Sequence, residues 1–104
     1  MITPKSYEEI SSIMQTGQKV FFFTASWCGD CHYIKPFMSE IEADFPQYDF
    51  LEIDRDQFLD LAIEWHILGI PSFVVLRDGA EVARLVNKDR KTKAEVEAFL
   101  QNIA

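Results

Sequence analysis

Both cysteines of this 104-residue chain lie in one short stretch, Trp27-Cys28-Gly29-Asp30-Cys31, directly behind the dense apolar run Val20-Phe21-Phe22-Phe23. Thiols two residues apart can close a small disulfide ring and reopen it, so Cys28 and Cys31 can carry two electrons without any bound cofactor. Three other readings compete. Two inert, buried cysteines are the plainest of them, but a Cys-x-x-Cys that follows a buried strand argues against it. Cys28-Gly29-Asp30-Cys31-His32 also matches the attachment pattern of c-type haem, whose proteins normally carry a secretory signal. Zinc would need more donors than two cysteines and the distant His66, so no metal site is expected.

The elements that must position these thiols follow from periodicity. Ser6 and Glu9 form a capping box for a first helix, with Tyr7, Ile10, Ile13 and Met14 at helical spacing until Gly17. Val20 to Phe23 lacks alternation, as a strand buried on both faces does. Ile34, Phe37, Met38, Ile41 and Phe45 predict a second helix that starts at the cysteines, with a kink at Pro36, which has no N–H to donate and crowds the carbonyl of His32. Tyr48 to Ile53 is a second strand, and Phe58, Leu59, Ala62 and Ile63 a short helix ending near Trp65 or His66. Asp54 and Asp56 read as a turn with a helix cap. Ser72 to Leu76 and Glu81 to Val86 flank an Asp78-Gly79 hairpin turn. Thr92 and Glu95 cap a last helix with Val96, Phe99, Leu100 and Ile103 on one face, and Ile2-Thr3 is a weak extra strand.

Alternating strands and helices imply parallel pairing by crossover, while the late hairpin must be antiparallel. The expected fold is therefore α/β: a central mixed β-sheet with helices on both faces, spanning residues 1–104 as a single domain. Composition agrees with a packed core, being 48% apolar and 13% aromatic with nine Phe. A net charge of -7, from 17 acidic and 10 basic residues, argues against nucleic acid and anionic membrane as partners. The first residues lack the apolar run of a secretory signal and no stretch approaches a membrane span, so a cytoplasmic protein is expected. In that compartment disulfides are usually transient and catalytic. The charges from Lys88 to Lys93 read as a solvated loop, and His32 as a helix-surface residue beside the site.

Taken together, the apolar strand, Ala25-Ser26-Trp27-Cys28-Gly29-Asp30-Cys31, Pro36 in the next helix, Glu52-Ile53-Asp54, Gly69-Ile70-Pro71-Ser72 and the Asp78-Gly79 hairpin resemble a thioredoxin over nearly the whole chain. The resemblance implies the thioredoxin fold, with Cys28 as the nucleophile at a helix start and Cys31 as the resolving thiol. Trp27 and Gly29 would flank the site, and Gly69, Ile70 and Pro71 would form an apolar lip for a substrate peptide, with Pro71 in the cis form. It further implies a protein-disulfide reductase and electron carrier serving cell redox homeostasis. Its partners would be thioredoxin reductase or a similar flavoprotein supplying electrons from NADPH, and disulfide-containing clients, with the protein itself a monomer.

Three departures from the family pattern matter. Asp30 stands where the usual thioredoxin has Pro; a carboxylate there opposes a thiolate at Cys28, yet suits the first turn of a helix. Phe22 and Phe50 occupy the positions of a buried Asp and Lys, removing a desolvation cost together with a proton acceptor for Cys31. That proton would then pass to water or to Asp30. Asn87 replaces a Gly near the site, and the loop after it looks lengthened. These changes favour a specialised reductant for one client as the nearest alternative. From another class, the alternative is a non-catalytic binding module that keeps only the fold and its apolar lip.

Overall fold

The structure, a computed structural model, describes residues 1–104. Its helices are α1 (Tyr7–Ile13), α2 (Gly29–Ile34), α3 (Met38–Asp44), α4 (Leu59–Glu64) and α5 (Lys93–Gln101), and its strands β1 (Gln18–Thr24), β2 (Asp49–Asp54), β3 (Ser72–Arg77) and β4 (Ala80–Leu85). The sheet order is β2-β1-β3-β4. β1 pairs parallel with β2 and antiparallel with β3, and β3 pairs antiparallel with β4. The mixed sheet is thus observed, with the run that precedes the cysteines as a central strand.

Why that run shows no alternation is visible in its two faces. Val20 and Phe22 point to one side, where Phe50, Phe73 and Val75 join Ile34, Met38, Ile41, Val96 and Leu100 from the second, third and fifth helices. Phe21 and Phe23 point to the other, packing with Leu51, Ile53, Val74 and Leu76 beneath Ile10, Leu61 and Ala62 of α1 and α4. Period two places successive side chains on opposite faces, and here both faces are covered. Phe22 stacks on Phe73 at 5.2 Å, and Phe22 and Phe50 both belong to the core under α2 and α3.

Local chemistry sets the element ends. Ser6 and Thr92 cap α1 and α5 by accepting the N–H groups of Glu9 and Glu95. Glu9, however, turns its carboxylate to the N–H of Lys5 at 2.7 Å rather than to that of Ser6. The expected kink at Pro36 is a 3-10 turn, Lys35–Phe37, that separates α2 from α3. Such a turn needs no donor from Pro36. The hairpin turn places both Asp78 and Gly79 at positive φ, 52° and 85°, the pairing that a type I′ two-residue hairpin turn requires. Ile2 makes only an isolated parallel bridge to Leu51, donating to Phe50 O at 2.8 Å and accepting from Glu52 N at 2.7 Å.

Candidate functional site

Strand β1 ends at Thr24, and the chain turns through Ala25 and Ser26 so that Trp27 and Cys28 emerge above the sheet. Cys28 is the N-cap of α2, with extended backbone, and its Sγ accepts the N–H of Cys31 at 3.1 Å. The two sulfurs are joined in a disulfide. Cys28 is 6% exposed and Cys31 1%, so the pair presents one edge to solvent, that of Cys28. In the reduced protein an N–H aimed at Cys28 Sγ favours the thiolate, because a hydrogen bond to the charged form stabilises it.

Facing Cys28 is an open cleft of about 400 Å³. Trp27, Gly29 and Asp30 wall it on one side, and Leu68, Gly69 and Ile70 on the other, with Arg55 and Lys88 at the rim. The carbonyl of Ile70 lies 3.9 Å from Cys28 Sγ. The Ile70–Pro71 peptide bond is cis, in agreement with what the resemblance implied. Pro71 itself is buried just behind the cleft rather than lining it, and Ser72 donates its hydroxyl to the Gly69 carbonyl. Six of the residues singled out from sequence, Trp27, Cys28, Gly29, Asp30, Gly69 and Ile70, therefore converge on one opening.

Trp27 is 63% exposed, yet it is not loose: its indole N–H donates to Asp56 at 2.7 Å, and the Arg55 guanidinium lies 5.9 Å from its ring centroid. Asp54 accepts the N–H groups of Asp56 and Gln57, which is the turn expected there. Asp56 thereby gains a second duty as the anchor of Trp27, one that a sequence pattern of turn residues does not reveal. His32 lies on the exposed face of α2 with Nε2 2.6 Å from the Ser26 carbonyl.

One expectation needs correction. The segment from Lys88 to Lys93 is not simply a solvated loop, because Lys91 is only 1% exposed. Its ammonium donates to Asn87 O at 3.1 Å, Asn87 Oδ1 at 2.7 Å and Asp89 O at 2.7 Å. Burial pushes the Lys91 ammonium below its ordinary pKa, against the pull of Asp89, Glu95 and Asp30. The same loop sends Arg90 to Asp30, Nε to Oδ1 at 3.0 Å, and lays its guanidinium 4.3 Å from the Tyr33 ring centroid. Only the spacing of Lys91 from Asn87 hinted at this, and a charge run gives no sign of which member turns inward.

The sequence model of the family described as Thioredoxin matches residues 1–102. Among curated proteins, an H-type thioredoxin of Fagopyrum esculentum is 46% identical over 67 residues, 64% of this chain and 58% of that protein. An H-type thioredoxin 1 of Nicotiana tabacum is 39% identical over 69 residues, 66% of this chain and 55% of its own length. The chain thus spans just over half the length of these relatives. Among solved structures, a thioredoxin from Trypanosoma brucei brucei superposes with a TM-score of 0.86 at 25% identity, covering 98% of this chain and 88% of that one. A Fasciola hepatica thioredoxin gives 0.79 at 26% identity, covering 94% and 97%.

Proposed function

Since this chain belongs to the thioredoxin family, we propose that it is a thiol–disulfide oxidoreductase that reduces protein disulfides through a reversible Cys28–Cys31 pair. The Cys28 thiolate attacks one sulfur of a client disulfide; a mixed disulfide forms and the other client sulfur leaves as a thiolate that takes a proton from water. Cys31 then gives up its proton and attacks Cys28 Sγ, releasing the second client thiolate. Two electrons have passed to the client, and the Cys28–Cys31 disulfide remains to be reduced by NADPH through a flavoprotein reductase. Trp27, Gly29, Gly69 and Ile70 hold the client segment beside Cys28, with Pro71 buried behind them as support for the lip. The proton of Cys31 leaves to water, since Asp30 is already engaged by Arg90.

The observation that carries this function is the bonded sulfur pair at the floor of an open, half-apolar cleft, with only Cys28 reachable from it. On this reading residues 1–104 act as one domain and as a monomer in the cytoplasm. Specialisation for one client is favoured by Asp30, a carboxylate lining the cleft and held by Arg90, and by the Phe22 ring stacked in the core.

The test is NADPH consumption with a thioredoxin reductase and a protein disulfide, with Cys31→Ser as control. Rapid turnover abolished by the substitution is expected. A protein that fails to turn over but whose disulfide still titrates reversibly against glutathione would be a specialised reductant. Failure of both measurements would leave a binding module.

A further inference from the structure

A carboxylate two residues beyond a nucleophilic thiol, in the wall of the same cleft, disfavours the thiolate by like-charge repulsion. Asp30 is such a carboxylate. The charged groups around Cys28 come from three elements. Along α2 there is Asp30, with His32 turned back to the Ser26 carbonyl. After β2 come Arg55 and Asp56, which pair with each other at 3.0 Å and hold Trp27. After β4 come Lys88, at the rim, Asp89, Lys91, whose ammonium is taken up by Asn87 and Asp89, and Arg90; the Gly69-Ile70-Pro71 segment contributes no titratable side chain. Of all these cations, Arg90 alone is bonded to Asp30.

Its placement is built rather than incidental. The guanidinium makes an ion pair with Asp30 and lies over Tyr33, one turn further along the same helix. The loop behind it is fastened by the three hydrogen bonds of the buried Lys91 ammonium and by Asp89 N donating to Asn87 Oδ1 at 2.9 Å. Asn87 in turn presses its backbone against Gly69, across the cleft from Asp30.

We propose that Arg90 is a positioning residue for the attacking thiol: by clamping and neutralising Asp30 it lets Cys28 ionise beside a carboxylate. The proton leaves to water and the thiolate is formed within reach of the Cys31 N–H. This deepens the exchange function and rests on it, because it takes Cys28 as the attacking sulfur.

The experiment follows the rate of iodoacetamide alkylation of reduced protein against pH, with the labelled cysteine identified by mass spectrometry, in wild type, Arg90→Ala, Asp30→Asn and the double variant. Arg90→Ala is expected to raise the midpoint by roughly half a pH unit, which lowers the thiolate fraction below the midpoint about threefold. In the Asp30→Asn background the same substitution should shift the midpoint by clearly less, since only the direct pull of the guanidinium on the thiolate is then lost. An unshifted Arg90→Ala profile, or a shift that persists undiminished without the Asp30 charge, would overturn the proposal. Labelling at Cys31 first would instead strike the exchange mechanism itself, so the two failures are told apart.

Discussion

At the scale of single residues, the smallest side chain at the site carries a demand that its neighbours impose. A Cβ on Gly69 would overlap the carbonyl of Asn87 and come within 2.6 Å of the Lys88 nitrogen, both of them backbone that cannot rotate away. Gly69→Ala should therefore cost about 1–3 kcal/mol in urea unfolding, the usual penalty for overpacking. It should also displace the loop that presents Arg90, slowing alkylation of Cys28 at neutral pH. An Ala variant with unchanged stability would show that the loop yields freely. From sequence, Gly69 was legible as part of a lip, but not as the seat of a contact with a segment eighteen residues further on. The cysteines were legible because their chemistry needs only spacing, whereas Arg90 depends on where a loop of alternating charges turns inward. Phe22 and Phe50 were legible both as departures and as buried rings, since an apolar side chain in a two-sided strand has nowhere else to go.

At the scale of elements, the succession of helices and strands, the caps and the irregularity at Pro36 followed from periodicity and turn chemistry; carboxylate contacts between helices did not. Glu97 on α5 faces Asp44 at the end of α3, with Lys93 3.7 Å from Asp44 and 3.5 Å from Glu40. Its Oε2 is closed off from solvent without a donor. Contact with Asp44 first, and burial second, hold the Glu97 carboxyl above its ordinary range despite the pull of Lys93. A raised carboxyl pKa in the folded state means that the folded protein binds the proton more tightly than the unfolded chain does. The stabilisation is full below the ordinary glutamate value and is lost as pH rises through the raised one. Urea midpoints should therefore show a component that grows as pH falls from neutral into the mildly acidic range. Glu97→Gln should remove that component and stabilise the protein at neutral pH; a variant with the wild-type pH dependence would show that the α3–α5 contact does not hold the proton.

At the scale of the whole molecule, the fold stands on its two aromatic-rich cores rather than on the sulfur link. Closing a ring of so few residues removes little freedom from the unfolded chain, about 2 kcal/mol by loop entropy. Reduced protein and the Cys28→Ser, Cys31→Ser double variant should accordingly unfold cooperatively, at urea midpoints only modestly below that of the oxidised form. A reduced protein with no folded baseline would make the pair a staple instead of a carrier. The sheet also has two outer borders, and their treatment differs. β4 exposes Glu81 and Arg84, whose ion pair at 2.7 Å lies along its length. β2 is guarded by backbone: Ile2 occupies the hydrogen-bonding positions of Phe50 and Glu52. Strands with unclaimed amides recruit like strands from other copies. By placing two backbone hydrogen bonds at the middle of its border strand, the N-terminal segment denies a second molecule the template on which aggregation would grow.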